Sequence, residues 1–236
     1  MGESAVRLTE GIDYGPDQLL DLYQPEHPQG SVAVLLWHGR GANERDVLGP
    51  LGHEIARAGV PTIVPDWNCE DGGRGRHHLT ASLAFTNDMA ERTGFDRIVL
   101  AGWSLGASAG LDLVLLSSIL GSWRPAAFIG LSGSFDESPF GDGQPFDITV
   151  DPTVPLLLIH GSSDEVVPVE RARMTVETLA GAGWKASLRE VETDHAGAIG
   201  TIYDPTTRRC VRADDPVRRR TLATVAGWMA EFALHS

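Results

Sequence analysis

Short apolar runs alternate along the chain with longer stretches that have the spacing of amphipathic helices, and this alternation restricts the chain to βαβ units around a mostly parallel sheet. The runs are Val32 to Trp37, Val60 to Val64, Arg97 to Ala101, Ala127 to Leu131, Leu156 to Ile159 and Ala186 to Val191. All but the last are continuously apolar, the pattern of strands covered on both faces. Glu44 to Ala58, Leu79 to Arg92, Leu105 to Leu120, Val169 to Ala180 and Pro216 to Leu234 read as helices. Asn43 stands as a cap for the first, Gly59, Gly94 and Gly181 as stop signals, and Pro216 as a first-turn residue. Val6 to Tyr23, with the turn Tyr14-Gly15-Pro16-Asp17, reads as an antiparallel pair leading into the parallel sheet. The expectation is a single α/β domain over residues 1–236, its sheet sandwiched between helices. Ser134 to Thr153 and Ala196 to Asp215 stand out as long irregular segments, and loops of that length in a compact domain usually carry function or move.

The 236 residues contain 19 Lys plus Arg against 32 Asp plus Glu, a formal charge of −13. That balance repels phosphate backbones and anionic lipid surfaces, so nucleic acid and membrane are not expected partners. The basic cluster Arg218 to Arg220 directly follows Asp214 and Asp215 and reads as a solvated helix start. Cys69 and Cys210 form no C-x-x-C or metal-type spacing, and a single bridge between them stays open. No apolar run approaches the length of a membrane span, and Met1 to Thr9 lacks the charged-then-apolar pattern of a secretion signal, so a cytoplasmic location is the expectation. Neither a phosphate-cradling G-x-x-x-x-G-K-[ST] nor a strand-linked G-x-G-x-x-G is present. Asp66, Glu70, Asp71, His77 and His78 are irregularly spaced among Gly72, Gly73 and Gly75 and read as a polar surface loop rather than a metal site. No cofactor and no metal are expected.

The sharpest chemical signal is Gly102-Trp103-Ser104-Leu105-Gly106, between a predicted strand and a predicted helix. A nucleophile elbow needs that setting, because a serine on a tight strained turn must have small neighbours where strand and helix crowd together. The same turn aims the Leu105 N–H, with the positive end of the helix, at the place where a reacting carbonyl oxygen gains charge. Gly130-Leu131-Ser132-Gly133-Ser134 nearly matches but breaks at its last position and reads as a turn at a strand end. A serine hydroxyl needs a base to take its proton and an acid to orient that base. Among eight histidines, His195 follows the last strand and opens a loop able to reach the carboxyl edge of the sheet, whereas His160 in Ile159-His160-Gly161 suits a structural hydrogen bond. Asp164 is placed just past its strand and completes the chain order serine, acid, histidine; Asp136 is the reserve acid. Asp194 is poorly placed beside the base, and Glu165 is expected to face solvent. The loop His38-Gly39-Arg40-Gly41 offers the Arg40 N–H as a second donor to an oxyanion. Trp37, Trp67 and Trp103, near strand ends, suit either an apolar pocket or core packing, and Gly39, Trp67 and Trp103 are the candidate substrate contacts.

These residues carry a resemblance. The chain resembles the α/β-hydrolase superfamily and, within it, compact carboxylesterases of the acetyl-esterase and feruloyl-esterase-like group. The likeness runs through Tyr14-Gly15-Pro16, Leu20-Asp21-Leu22-Tyr23-Gln24-Pro25, His38-Gly39-Arg40-Gly41, Pro65-Asp66-Trp67, the elbow, the Asp164 loop and Asp194-His195. The resemblance implies a triad of Ser104 as nucleophile, His195 as base and then acid, and Asp164 as orienting carboxylate. It also implies an acyl-enzyme intermediate, with no metal or organic cofactor and a small-molecule ester as substrate. Two departures are visible: Arg40 stands where the family's oxyanion loop often has glycine, and no helical cap is inserted after Leu131, which leaves the site open. Thioester or amide cleavage by the same machinery, and a catalytically silent binding module on the same fold, are the alternative functions.

Overall fold

Along β3 (Val32–Trp37) side chains alternate between two apolar layers: Ala33, Leu35 and Trp37 enter one, Val32, Val34 and Leu36 the other. That period of two, with every residue buried, is what a strand covered on both faces requires. The computed structural model describes residues 5–70, 72–116, 124–136, 140, 148 and 154–236. Its eight-stranded sheet has the order β1-β2-β4-β3-β5-β6-β7-β8. The strands are β1 (Val6–Gly15), β2 (Gln18–Pro25), β3, β4 (Thr62–Pro65), β5 (Arg97–Trp103), β6 (Ala127–Leu131), β7 (Leu156–Gly161) and β8 (Ala186–Val191). From β4 through β8 all neighbours are parallel, while β2 is antiparallel to both β1 and β4. The loops that follow β3, β5, β7 and β8 therefore leave the same edge.

Helices α2 (Arg76–Thr93), α3 (Leu105–Leu115) and α4 (Glu170–Gly181) close one face through Leu79, Leu83, Leu111 and Leu179. Helices α1 (Gly49–Arg57) and α5 (Pro216–His235) close the other through Leu51, Ile55, Val225 and Met229. Each such fully buried aliphatic side chain contributes about 1.5–3 kcal/mol relative to exposure. Among the described residues there is no cap domain, and no helix is long and apolar enough to cross a membrane.

Several boundaries differ from expectation, each for a local reason. The first expected helix opens as a 3-10 turn, Arg45–Leu48, which takes no side-chain bond at its cap, and becomes α-helical only at Gly49, where Pro50 suits a first turn. Helix α2 starts at Arg76, so His77 and His78 are in its first turn, not in a loop. The expected end of α3 beyond Leu116 and most of Ser134 to Thr153 fall outside the described residues. Ala196 to Asp215 is not irregular: it holds a 3-10 turn, Gly197–Ile199, and an antiparallel ribbon of β9 (Thr201–Asp204) and β10 (Arg209–Arg212). Four-residue strands are too short to display a period. Cys69 and Cys210 are unbridged and half-buried.

Candidate active site

The central strand β5 delivers Ser104 to the carboxyl edge of the sheet in a backbone conformation few side chains adopt, φ 55° and ψ −120°. Such a conformation costs about 1–3 kcal/mol and persists only where surroundings over-determine it. Here the Ser104 N–H donates to the Leu131 carbonyl at 2.8 Å, while the Ser104 carbonyl accepts from Ala107 and Ser108 as α3 begins. The flanking glycines are steric requirements. A Cβ on Gly102 would lie 2.3 Å from the Gly106 backbone, and one on Gly106 would lie 2.3 Å from the His38 carbonyl oxygen and 2.5 Å from that of Trp37. Backbone cannot swing aside as a side chain can. Gly106→Ala is accordingly expected to destabilise the protein by about 3 kcal/mol or more by overpacking, read as a lowered denaturation midpoint. Gly227→Ala, on α5 with open space around it, should be neutral or stabilising by about 0.5–1 kcal/mol. Equal effects would contradict the steric account.

Asp164 follows β7, on a loop tied to the loop after β8 by Ser162 and Ser163 N–H groups donating to the carbonyls of Val191 and Thr193. Its Oδ1 accepts from the N–H groups of Val166 and Val167 at 2.9 and 2.8 Å, and its Oδ2 accepts from His195 Nδ1 at 2.7 Å. Burial pushes this carboxyl up, but hydrogen bonds from His160, His195 and Val167 outweigh it and hold the group well below the usual carboxylate range. His195 is further fixed by Trp103, whose indole N–H donates to the His195 carbonyl at 3.2 Å and whose ring lies 5.0 Å from the imidazole. Asp194 turns away from the imidazole and forms a two-pronged pair with Arg218, at 2.9 and 2.5 Å. The reserve acid, Asp136, binds Arg171 at 2.7 Å on the surface. His160 donates Nε2–H to the Val167 carbonyl at 2.8 Å.

His38, whose role sequence reasoning left blank, organises the loop that carries Arg40. Fully buried, it donates Nδ1–H to the Gly39 carbonyl and accepts at Nε2 from the N–H groups of Glu44 and Trp67, at 3.2 and 3.1 Å. Two donors at Nε2 require the neutral ring, and burial pulls its pKa down to about 4 against a hydrogen bond that raises it. The unfolded chain takes up this proton below about pH 6.5, the folded one only below about 4. Stability from His38 is thus full above pH 6.5 and falls as pH drops through that window, by up to about 3 kcal/mol. Melting curves from pH 7 to 4 should show a decline that is shallower in His38→Gln; identical slopes would contradict the assignment.

Trp67, expected among the substrate contacts, is instead part of the core: it is 0% exposed, stacks on His38 and donates its indole N–H to the His38 carbonyl. Trp37 is buried likewise and donates to Ser82. Gly39 lies beneath the site, where a Cβ would come within 3.1 Å of the Trp103 ring and Ser104 Cβ. Asp66 is taken up by Arg45, and among the described residues no cluster of His, Cys, Asp and Glu is able to hold a metal.

Ser104, His195, Trp103 and Arg40 line one open cavity of about 680 Å³, with Asp164 bonded behind His195 and Leu105 opening α3 beside it. The far wall, which sequence reasoning missed, is the β9–β10 ribbon with Ile202, Tyr203 and Cys210. Arg209 clamps the ribbon to the Arg40 loop through Glu44 at 3.4 Å and Asp46 at 2.8 Å. A second recess of about 810 Å³ between α1 and α5 brings Glu54, Arg57 and Glu231 together without a nucleophile.

Residues 81–199 match the family described as Phospholipase/Carboxylesterase. No curated protein sequence matches the chain. Among solved structures, a truncated carbohydrate esterase from gut microbiota is similar, with TM-score 0.70 and 15% identity over 98% of this chain and 99% of that one. A bacterial heroin esterase is similar at TM-score 0.69 and 17% identity, covering 98% and 85% of the two chains. The propionate-bound esterase of the Planctomycetes species Thermogutta terrifontis has TM-score 0.68 and 17% identity over 98% and 95%. These likenesses concern the fold, an α/β-hydrolase sheet, which supports many chemistries.

Proposed function

The chain belongs to the phospholipase/carboxylesterase family, and from that premise we propose that it hydrolyses carboxylic esters of small or medium acyl groups through a covalent ester on Ser104. The observation that carries this reading is the 2.7 Å bond between His195 Nδ1 and Asp164, on a histidine that shares a cavity with the strained Ser104. With Nδ1–H donated to the carboxylate, Nε2 is the basic nitrogen. It takes the hydroxyl proton as Ser104 Oγ attacks the ester carbonyl, then gives that proton to the departing alcohol. The negative oxygen of the adduct is held by the backbone N–H groups of Leu105 and Arg40; one such donor is worth about 2.7–4 kcal/mol of barrier. Water then enters by the same route, gives its proton to His195, and releases the acid. Trp103 forms the apolar side of the substrate site.

A fluorophosphonate probe tests the reading. Stoichiometric labelling of the folded protein, absent from Ser104→Ala, is the expected result. A folded protein that resists labelling would overturn the covalent mechanism and favour a ligand-binding module. A panel of 4-nitrophenyl esters of rising acyl length, run beside thioester and amide substrates, then defines the leaving group and chain length.

A further inference from the structure

The mouth of the cavity carries four arginines, Arg40, Arg208, Arg209 and Arg218, in a chain whose formal charge is −13. Two of them are committed: Arg209 to Glu44 and Asp46, Arg218 to Asp194 and Asp215. The other two are exposed and, among the described residues, form no ion pair. Arg40 follows β3; Arg208 ends the turn of the β9–β10 ribbon, at φ 55°. Asp204, the carboxylate nearest Arg208 in the ribbon, accepts from the Thr206 N–H and the Thr207 hydroxyl, both at 2.8 Å, and leaves that guanidinium unmatched. Because the Arg209 clamp joins the ribbon to the Arg40 loop, both unmatched cations sit on elements held together at one rim.

We propose, resting on the esterase reading, that the preferred substrate is an ester bearing an anionic oxyacid group, carboxylate or phosphate, which Arg40 and Arg208 bind at the rim while the ester reaches Ser104. Guanidinium groups match both anions with paired N–H donors, and such charge-assisted bonds exceed neutral ones in strength. A surface arginine without a partner is ordinary. Two on linked elements at the opening that leads to the nucleophile, on a protein that otherwise repels anions, form a selective feature. Glu165, exposed on the acid loop, also lines the cavity and opposes an anion, so its removal should strengthen the preference.

The test compares matched esters on the whole protein. For carboxylate, 4-nitrophenyl hydrogen adipate is set against its neutral methyl ester; for phosphate, 4-acetoxybutyl phosphate is set against 4-acetoxybutanol. The expected result is a kcat/KM ratio of about tenfold in favour of the charged member of at least one pair, carried mainly by KM; which pair shows it identifies the anion. Arg208→Gln and Arg40→Gln should each lower that ratio several-fold, and Glu165→Gln should raise it. Neutral members preferred in both pairs, or a ratio indifferent to both arginine substitutions, would overturn the proposal while leaving the esterase reading intact wherever neutral esters turn over. Absence of turnover on all four, together with absence of phosphonate labelling, would take down both.

Discussion

Ser104→Ala is expected to lower kcat on an activated ester by about 10⁶-fold, the scale on which loss of a serine nucleophile is felt when base and oxyanion donors remain. The size follows from the proposed mechanism. Without Oγ no acyl-enzyme forms, and His195 can only activate water held less favourably than a side chain built into a strained turn. Folding should not confuse the result, because alanine inherits the same backbone conformation and the elbow is anchored by main-chain bonds to Leu131, Ala107 and Ser108. Single-turnover kinetics on 4-nitrophenyl acetate, beside a melting curve, check it. Retention of activity within tenfold would move the nucleophile elsewhere; Ser163, which lines the same cavity, is the first place to look.

The second large effect is on the acid. Asp164→Asn should lower kcat by about 10⁴-fold, as expected when a base is left in the wrong tautomer. The hydrogen bonds specify how. Oδ1 of Asp164 accepts from two backbone N–H groups, so an asparagine would keep its carbonyl there and present its amide N–H₂ to His195. Nδ1 must then accept rather than donate, the ring proton moves to Nε2, and Nε2 loses its basicity toward Ser104. Asp136→Asn, which loses only a surface pair with Arg171, should change the rate little, and a reversed pattern would move the acid to the earlier loop. Since the Asp164 carboxyl is held below the usual range, it stays ionised as mild acid is added. Its contribution to stability is present above the ordinary carboxylate pKa and lost only as pH falls toward its own lower value.

Much of the candidate site is legible in one dimension because its residues are brought together by chain order. Ser104 and Asp164 follow the buried strands β5 and β7 and His195 follows the half-exposed β8, and parallel strands put every such loop on one edge, so local pattern is enough to nominate them. The antiparallel entry of β1 and β2 is legible for a similar reason, since the turn is written in Gly15-Pro16-Asp17. What escapes is set by distant partners. Trp67 belongs to the core because His38, far back in the chain, offers it a carbonyl and a ring to stack on. The ribbon over 201–212 is fixed by Arg209 reaching Glu44 and Asp46, and Arg218 is drawn from a solvated helix start into a pair with Asp194. No periodicity encodes such meetings.

The Arg209 clamp, next to the turn of the ribbon, has a consequence for tolerance to change. The ribbon's tip, residues 205–208, extends beyond that anchor, so insertions or replacements there are expected to leave the loops of Ser104, Asp164 and His195 in shape. Changes of length or side chain at that turn would then reshape what the cavity meets at its wall while the anchored loops beneath stay where they are.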